Sequence, residues 1–397
     1  MGFERDVVVI GGCGHVGLPL GIALADRNLT VTLFDINASS VDLVLAGQMP
    51  FLENGADPLL RKTVADGMLT ATTDPSVVST AENLVLVVGT PVDDHLNPEP
   101  QKVLSAVQAL VPYLTDGQLL VLRSTLYPGV TALVEQLVER LDVSVDVCFC
   151  PERIAEGHAL TELFELPQIV SGRKAAAAER ADKLFRHLTE KIVHLSPEEA
   201  ELAKLFVNTW RYTRFAIANQ LYMIANDFGI DFERIRSALT EDYPRAADMP
   251  GPGFAAGPCL LKDTMQLAAF NNNNFVLGHA SMMVNEGLPN YLVSRLERRF
   301  DLGELTVGLL GMSFKAGSDD IRDSLSYKLK RILKIKAQRV LCTDPYVTVD
   351  TDLVPIETVV EESDLLIVCA PHKQYREVHT NVPIIDIWNL RGEGVVV

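Results

Sequence analysis

Short apolar runs alternate with helical stretches through the first half of the chain. The run at 6–10, DVVVI, precedes a glycine-rich turn, a helical stretch over about 15–28 and a second apolar run at 29–34. Near-continuous apolar runs of this length are typical of strands buried on both faces, so their order predicts a βαβ unit. Further apolar runs follow at 83–88, 118–122 and 145–149. Because these runs alternate with helices, they predict a mostly parallel sheet.

A strong helix start signal stands at residues 196–199, which read SPEE. The serine suits an N-cap, the proline suits the first turn, and the glutamate three residues after the cap completes a capping box. The helical pattern continues to about Gly229, where a glycine suits the C-cap. Such a helix is on the order of 45 Å long. It predicts the spine of a central helical domain and also suits a seam between two copies of the chain.

The α/β pattern returns after about residue 300. Its apolar runs lie at 305–310, 339–342, 364–369 and 383–387. The two ends of the chain also resemble each other: Asp35 is echoed by Asp344, and the GTP of 89–91 by the CAP of 369–371. This internal likeness predicts a second doubly wound domain at the C-terminal end.

The predicted fold class is therefore α/β, with two Rossmann-like doubly wound domains joined by a central helical domain that contains a long spine helix. The expected domains are residues 1–195, 196–300 and 301–397. A length of 397 residues agrees with two or three domains.

Charge and composition argue against several classes of protein. A formal net charge of -17, with no basic run to offset it, disfavours nucleic acid as a partner. No apolar run is long enough to span a bilayer, so no membrane association is expected. The first residues lack the features of a secretory signal, which predicts a cytosolic protein. Six scattered cysteines do not indicate a disulfide framework.

The turn after the first predicted strand contains the pattern GxGxxG in Gly12, Gly14 and Gly17. Glycines at these positions allow a tight turn and a close approach of backbone N–H groups to a pyrophosphate at a helix N-terminus. Asp35, at the end of the next strand, suits an adenosine ribose, and its charge opposes a 2′-phosphate, so NAD is favoured over NADP. The alternative is a glycine-rich turn without a ligand. Cys13 and His15 within the turn are two ligands, which are too few for a metal site, and no metal is predicted.

Polar residues on the predicted long helix form a second candidate site. Lys204 and Asn208 are spaced i and i+4, and Arg211 follows three residues later, so the three share one face. A cation and an amide on one stripe of a helix could together bind a substrate oxyanion. The alternative is a solvated polar face.

Candidate groups also follow the predicted strands. Glu152 and Glu156 come directly after one strand, where α/β sheets bind ligands, and either carboxylate suits proton transfer. The alternatives are an ion pair with Arg153 or a helix N-cap. Thr90 and Thr125 also follow strands, although threonine before a turn is common without any function.

Cys259 ends the loop GPGFAAGPC of residues 251–259 and has three readings. A structural zinc needs further ligands, and Cys148-x-Cys150 is the only close cysteine pair. Free cysteines are most often buried among apolar side chains, but Cys259 follows a loop of glycines and prolines rather than an apolar run. Lys262 and a helix N-terminus would both stabilise a thiolate, which favours a nucleophile.

Seven motifs together carry a resemblance that covers essentially the whole chain. In order they are GCGHVGLP, GTP, STLYPG, PERIAEG, EAELAKLFVN, GPGFAAGPCLLKD and LGMSFKAGSDDIRDS. In this order they resemble the UDP-glucose/GDP-mannose dehydrogenase family of NAD-dependent nucleotide-sugar 6-dehydrogenases. The resemblance implies two NAD-dependent oxidations of a sugar C6 alcohol to a uronate, through a cysteine thiohemiacetal and thioester, for polysaccharide biosynthesis.

The resemblance also implies roles for individual residues. Cys259 would be the nucleophile, and Lys204 and Asn208 would stabilise the oxyanions. Asp263 would organise water and protons with Lys204, and Glu152 would be the acid-base group. The implied catalytic residues are Cys259, Lys204, Asn208, Asp263, Glu152 and Thr125. The implied NAD contacts are Gly12, Gly14, Gly17, Asp35, Thr90, Thr125, Glu156, Lys262 and Arg322. The implied sugar-nucleotide contacts are Glu152, Arg153, Lys204, Asn208, Gly253, Gly257 and Lys315.

Some residues depart from the family pattern, and these departures concern the sugar. Ala256 stands in place of a common glycine, Pro258 supplies no backbone N–H before the cysteine, and Leu261 replaces a frequent proline. The PER and GPG motifs are similar to the UDP-N-acetylhexosamine branch, which favours a UDP-N-acetyl-D-mannosamine or UDP-N-acetylglucosamine 6-dehydrogenase. The alternatives are a UDP-glucose 6-dehydrogenase, a two-electron NAD-dependent hydroxy-acid dehydrogenase and a non-catalytic NAD-binding module. A homodimer is expected.

Overall fold

The computed structural model describes residues 2–90, 92–93 and 95–397. The chain divides into two compact units, residues 1–207 and 208–397, and the division falls inside the long helix. The three-domain boundaries given above stay a prediction.

The first unit is built on an eight-stranded sheet. Its strands are β1 Arg5–Ile10, β2 Val31–Phe34, β3 Leu69–Thr72, β4 Ala81–Leu86, β5 Gln118–Leu122, β6 Val145–Phe149, β7 Gln168–Ser171 and β8 Ile192–Leu195. They are ordered β3-β2-β1-β4-β5-β6-β7-β8. The pairings are parallel except between β6 and β7, which confirms the mostly parallel sheet.

Helices cover both faces of this sheet. They are α1 Gly17–Asp26, α2 Ala38–Leu45, α3 Ala56–Ala65, α4 Gln101–Leu110, α5 Val130–Val138, α6 Ala159–Glu165 and α7 Ala175–Phe185. Successive residues of a strand point to opposite faces, so Val7 and Val9 join one apolar cluster while Val8 and Ile10 join another. Burial on both sides explains why residues 7–10 of β1 form a continuous apolar run.

Helix α8, Pro197–Asp227, has the predicted capping box. The Ser196 backbone N–H donates to Glu199 Oε2 at 2.8 Å, and the Glu199 N–H donates to Ser196 Oγ at 3.3 Å. The helix ends at Asp227, and Gly229, where the sequence predicts the C-cap, has a φ of +69°. A left-handed residue after the last turn is the usual helix stop, and glycine adopts it without strain.

The second unit joins helices to a four-stranded parallel sheet. After the last turns of α8 its helices are α9 Phe232–Thr240, α10 Leu260–Phe270, α11 Val276–Leu296, α12 Leu325–Lys336 and α13 Ile356–Glu362. Its strands are β9 Thr306–Leu310, β10 Arg339–Thr343, β11 Leu365–Val368 and β12 Ile384–Ile385, ordered β10-β9-β11-β12. One core contains Tyr222 of α8, Leu292 of α11 and Leu309 of β9, which makes the unit a single packed body.

The observed elements confirm the predicted α/β fold class. The helix predicted over about 15–28 is shorter, and the strand predicted from 29 begins at Val31, because the chain turns through Asn28, which has a φ of +64°. Among the described residues, no helix combines the length and the apolar character needed to cross a membrane.

Candidate functional site

The glycine turn between β1 and α1 is shaped by close backbone packing. A Cβ on Gly12 would lie 2.7 Å from the Val9 carbonyl oxygen, and one on Gly17 would lie 2.5 Å from the Gly11 carbonyl oxygen. These two positions therefore exclude any side chain. A Cβ on Gly14 would meet nothing closer than 3.8 Å, so this glycine faces open space. That space suits a pyrophosphate approaching the backbone at the start of α1.

Asp35 is tied to this turn and remains partly exposed. Its Oδ2 accepts the Cys13 backbone N–H at 2.9 Å, and its Oδ1 accepts the Asn37 N–H at 3.0 Å. Each carboxylate oxygen keeps a further lone pair for a ribose hydroxyl. Burial, reinforced by the charge of Asp35, raises the pKa of the Cys13 thiol to about 12. The turn and the acid together fit NAD.

Glu156 lies beside the same glycine turn. Its Oε1 is 3.9 Å from Nδ1 of His15. The backbone after it is held by buried Glu53, whose carboxylate accepts the Gly157 and Ala159 N–H groups, each at 2.8 Å. The structure therefore brings this predicted NAD contact to the turn that carries Gly14. Glu53 was missed from the sequence because it is 104 residues from Gly157.

Glu152 forms a buried ion pair, but with Arg123 rather than with Arg153. An Arg123 guanidinium N–H donates to Glu152 Oε2, and the other oxygen accepts the Arg153 and Ile154 backbone N–H groups at 2.6 and 2.9 Å. The Arg153 side chain donates instead to the Pro167 carbonyl oxygen. The alternative of an ion pair with Arg153 therefore does not hold. Arg123, a cation directly after the β5 apolar run, was the missed signal.

Arg123 is itself fully enclosed. It also donates to the Cys150 carbonyl oxygen at 3.1 Å and to Gln168 Oε1 at 3.0 Å, and its guanidinium lies 4.7 Å from the centre of the Phe185 ring. Three oxygen acceptors and an aromatic ring thus fix the cation. The fixed cation in turn fixes the direction of the Glu152 carboxylate.

The loop that carries Thr125 is anchored to the first turns of α8. Thr125 follows β5 and is partly buried. Buried Glu201 accepts the Gly129 N–H at 2.6 Å and both the N–H and the hydroxyl of Thr131, at 2.8 and 2.6 Å. A carboxylate at the start of α5 also suits that helix dipole. Thr90 is partly buried after β4, and Pro91 of the same motif lies outside the described residues.

Lys204 and Asn208 are both buried, whereas Arg211 is exposed. The alternative of a solvated face therefore fails for the first two and holds only for Arg211. In the second unit, Asn208 Nδ2 donates to Asp263 Oδ2 at 2.6 Å, and the Lys262 ammonium lies 2.6 Å from Asp263 Oδ1. Asp263 is fully buried, so these charge-assisted contacts compensate its charge.

Cys259 precedes the first residue of α10 and is exposed, while the five other cysteines are buried. Burial raises the pKa of Cys150 to about 12 and that of Cys342 to about 11. Cys148 and Cys150 pack in one apolar cluster, which agrees with their predicted common face and with a core role. Accessible thiol chemistry in this chain therefore falls to Cys259, beside Lys262 and Asp263.

The loop before Cys259, residues 251–258, is hereafter the cysteine loop. A Cβ on Gly253 would lie 2.3 Å from the Trp388 ring, and one on Gly257 would lie 2.5 Å from the Phe314 ring. Glycine is required at both positions, since two aromatic rings from the C-terminal sheet region pack against this loop.

The remaining predicted contacts also lie in the second unit. The Lys315 ammonium lies 5.6 Å from the centre of the Phe314 ring. Arg322 is half exposed, and its guanidinium is oriented by Asp320, with Nε at 3.0 Å from Oδ1 and the terminal nitrogen at 2.6 Å from Oδ2. Lys315 therefore lies in the same unit as the cysteine loop, on the segment that supplies Phe314.

Comparison with known proteins gives matches over nearly the full length. Residues 5–189, 198–286 and 308–392 match the NAD binding, central and UDP binding domains of the UDP-glucose/GDP-mannose dehydrogenase family. An NDP-N-acetyl-D-galactosaminuronic acid dehydrogenase from Ralstonia nicotianae is 29% identical, over 95% of this chain and 93% of its own.

Two solved structures have the same architecture. A UDP-D-ManNAc dehydrogenase from Pyrococcus horikoshii aligns with a TM-score of 0.89 and 27% identity, covering 98% of this chain and 97% of its own. A UDP-glucose dehydrogenase from Pyrobaculum islandicum has a TM-score of 0.89 and 25% identity, covering 96% and 94%. The chain belongs to the UDP-glucose/GDP-mannose dehydrogenase family and is an NAD-dependent nucleotide-sugar dehydrogenase.

Proposed function

We propose that the protein oxidises the C6 alcohol of a UDP-sugar to the carboxylate and holds the intermediate aldehyde on Cys259. The observation that carries this proposal is the setting of Cys259: it is exposed at the start of α10, next in sequence to the Lys262–Asp263–Asn208 cluster. A helix N-terminus favours a thiolate. Buried cysteines elsewhere in the chain leave no competing nucleophile of this type.

The chemistry assigned to the chain's own residues is covalent capture. NAD, when bound, supplies the two-electron acceptor for each oxidation. The Cys259 sulfur bonds to the aldehyde carbon while the carbonyl oxygen becomes the thiohemiacetal oxygen, which Lys204 and Asn208 stabilise as an oxyanion. Oxidation of that adduct leaves a thioester. Water then adds to the thioester carbon and the C–S bond breaks, which releases the uronate and regenerates the thiol.

Supporting residues orient these groups. Asp263 holds the Asn208 amide at 2.6 Å, so one N–H of that amide has a fixed direction. Glu152 is proposed as the acid-base group for hydrolysis, with its orientation set by Arg123. Thr125 and Glu156 are proposed at the nicotinamide and the sugar, and Arg322 is proposed as a further NAD contact.

The proposed substrate is UDP-N-acetyl-D-mannosamine or UDP-N-acetylglucosamine. The PER and GPG motifs support it, as does similarity to a UDP-D-ManNAc dehydrogenase. A second candidate is UDP-glucose, because a UDP-glucose dehydrogenase aligns with the same TM-score. Arg153, Gly253, Gly257 and Lys315 are proposed as sugar-nucleotide contacts. Use of the uronate in polysaccharide biosynthesis and a cytosolic location stay predictions.

The test is a count of NADH formed per sugar consumed, over a panel of UDP- and GDP-linked hexoses and N-acetylhexosamines. Two NADH per sugar supports the four-electron reaction, and the sugar with the highest kcat/KM identifies the substrate. One NADH per sugar indicates a two-electron dehydrogenase. No NADH from any nucleotide sugar contradicts the proposal.

We also propose that α8 forms the seam of a homodimer. Trp210, Ile217 and Ile224 follow one another at seven-residue spacing and are 59%, 50% and 50% exposed, and Phe228, directly after the helix, is exposed as well. Apolar residues at this spacing form one seam of a helix, which suits a second copy of the same helix.

A double substitution tests the seam. Ile217→Glu with Ile224→Glu is expected to yield a monomer in sedimentation velocity, because four charges would be buried at a symmetric interface. Ile335→Glu, at an exposed isoleucine of α12, is the matched control and should leave the dimer intact. A wild-type protein that sediments as a monomer contradicts the seam.

A further inference from the structure

A buried amide lies beneath the cysteine loop and has no part in the proposed chemistry. Asn219 of α8 is fully buried. Its Oδ1 accepts the Gly253 backbone N–H at 2.9 Å, and its Nδ2 donates to the Gly253 carbonyl oxygen at 3.0 Å. One side chain thus satisfies both main-chain groups of a glycine in a segment that has no helix or strand of its own.

A second buried amide fixes the direction of the first. Asn219 Nδ2 also donates to Asn285 Oδ1 at 2.9 Å, and Asn285 Nδ2 donates to the Tyr212 carbonyl oxygen at 3.0 Å. If the Asn219 amide were turned over, its oxygen would face two acceptors, the Gly253 carbonyl and Asn285 Oδ1. The network therefore allows one orientation of Asn219, and α8, α11 and the loop are linked through it.

The opposite side of Gly253 is blocked as well. The Trp388 ring occupies the place where a Cβ on Gly253 would lie, and Trp388 Nε1 donates to the Cys369 carbonyl oxygen at 3.1 Å. Gly253 is therefore held between a hydrogen-bonding amide and a fixed ring. Six residues later the chain reaches Cys259.

We infer that Asn219 is a positioning residue that sets the cysteine loop in its sugar-binding shape before the sugar arrives. This inference rests on the proposed function, in which Gly253 contacts the sugar nucleotide and Cys259 captures the aldehyde. Ordering a loop costs conformational entropy, and a loop ordered in folding does not incur that cost again on binding. Loss of the two hydrogen bonds from Asn219 to Gly253 should therefore weaken sugar binding more than it slows the chemical steps.

The first test compares two truncations in the same helix. Asn219→Ala removes both hydrogen bonds to Gly253, and Asn226→Ala is the matched control. Asn226 is equally buried and makes two side-chain hydrogen bonds against three for Asn219: its Oδ1 accepts the Val397 N–H at 2.9 Å, and its Nδ2 donates to the Tyr291 hydroxyl at 3.0 Å. Asn219→Ala is expected to raise KM for the sugar nucleotide about tenfold, with less than about a twofold change in kcat and in KM for NAD. An equal rise in both variants, or none in Asn219→Ala, overturns the inference.

The second test needs no substrate and no stable variant. In the wild-type protein without ligands, the Gly253 amide should exchange with deuterium at least about tenfold more slowly than an unstructured peptide amide, because Asn219 accepts it. Exchange at the unstructured rate overturns the inference. Failure of the proposed function would appear elsewhere, as absence of NADH formation from every nucleotide sugar, and would leave this exchange measurement unaffected.

Discussion

The two sheets begin with the same turn and use it differently. The Gly11 N–H, after β1, donates to the Phe34 carbonyl oxygen at 2.9 Å, and the Gly311 N–H, after β9, donates to the Thr343 carbonyl oxygen at 2.9 Å. Both glycines have positive φ, +73° and +98°, and neither has room for a Cβ. The internal likeness seen in the sequence is therefore a likeness of backbone construction.

The difference lies in the acid that follows the second strand of each sheet. Asp35 is partly exposed and accepts one N–H from its turn. The Asp344 side chain is fully buried, accepts the Met312 and Ser313 N–H groups at 2.6 and 2.9 Å, and lies 3.0 Å from Nε2 of His372. The first turn leaves its acid open to a ligand. The second encloses its acid, so Asp344 shapes the segment that carries Phe314 and Lys315.

His372 completes this enclosure. Its Nδ1 accepts the Gly317 N–H at 3.0 Å, and its Nε2 is 3.2 Å from Ser313 Oγ. Burial alone would raise the pKa of Asp344, but the hydrogen bonds from His372 and from backbone N–H groups outweigh it and lower that pKa to about 2. One topology thus leaves its acid partly exposed in the first unit and encloses its acid in a buried hydrogen-bond network in the second.

The largest expected effect is on the stability that buried Asp344 provides. Asp344→Asn should lower the free energy of unfolding by about 3 kcal/mol, because one partner of a buried pair is lost and an amide then faces backbone donors. Urea unfolding followed by circular dichroism measures it. The matched control is Asp364→Asn, since Asp364 lies in the same sheet region, is exposed and accepts one backbone N–H, from Thr306 at 2.8 Å. Equal losses of unfolding free energy in the two variants would show that buried Asp344 stabilises the protein no more than exposed Asp364 does.

The second effect is the loss of stability at low pH that the ionisation of Asp344 predicts. The folded-state pKa of Asp344 is about 2 and its ordinary value is 3.8, so its stabilisation is present above about pH 4 and is lost as pH falls towards 2. The loss should amount to about 2 kcal/mol. Wild type and Asp344→Asn should therefore differ in unfolding free energy by about that much less at pH 2.5 than at pH 5. A pH-independent difference would show that Asp344 is not held ionised by its partners.

The third effect is on NAD affinity and tests the role of the partly exposed Asp35. Asp35→Ala should weaken NAD binding about tenfold through loss of ribose hydrogen bonds, and should change the urea midpoint little. Isothermal titration calorimetry measures the affinity. Asp74→Ala is the control, because Asp74 is likewise an acid that accepts a backbone N–H in the first unit, from Ser76 at 2.9 Å. If Asp35→Ala binds NAD normally, the ligand-facing role of this acid is wrong.

The smallest effect is on cofactor choice. Asp35→Ser removes the charge that opposes a 2′-phosphate, and should raise NADP affinity a few-fold, by about 1 kcal/mol or less. The ratio of NAD to NADP affinities gives the readout. Asp344→Asn should leave that ratio unchanged, and an equal shift in both variants would mean that the two acids act alike.

The sequence predicted the strands and the long helix well because those elements depend on local patterns. The apolar runs at 118–122 and 145–149 coincide with β5 and β6, and the capping box begins α8 as expected. The nucleophile candidate also depends on local features, since a glycine and proline loop leads straight into a helix start at Leu260.

The supporting contacts could not be predicted, because each joins residues far apart in the chain. Arg123 and Glu152 are 29 residues apart, Gly129 and Glu201 are 72 apart, and Asn219 is 34 residues from its partner glycine. Hydropathy patterns show which residues are buried but not which buried polar groups pair. For this reason the sequence offered only the adjacent Arg153 as an ion-pair alternative for Glu152, and Arg123 was missed.

The most direct test of the covalent account is turnover by Cys259→Ser, measured together with NAD affinity. The predicted result is loss of the four-electron reaction, because an alcohol replaces the thiolate that captures the aldehyde, with NAD binding within about twofold of wild type. Formation of two NADH per sugar at the wild-type rate by Cys259→Ser would contradict the covalent role of this cysteine.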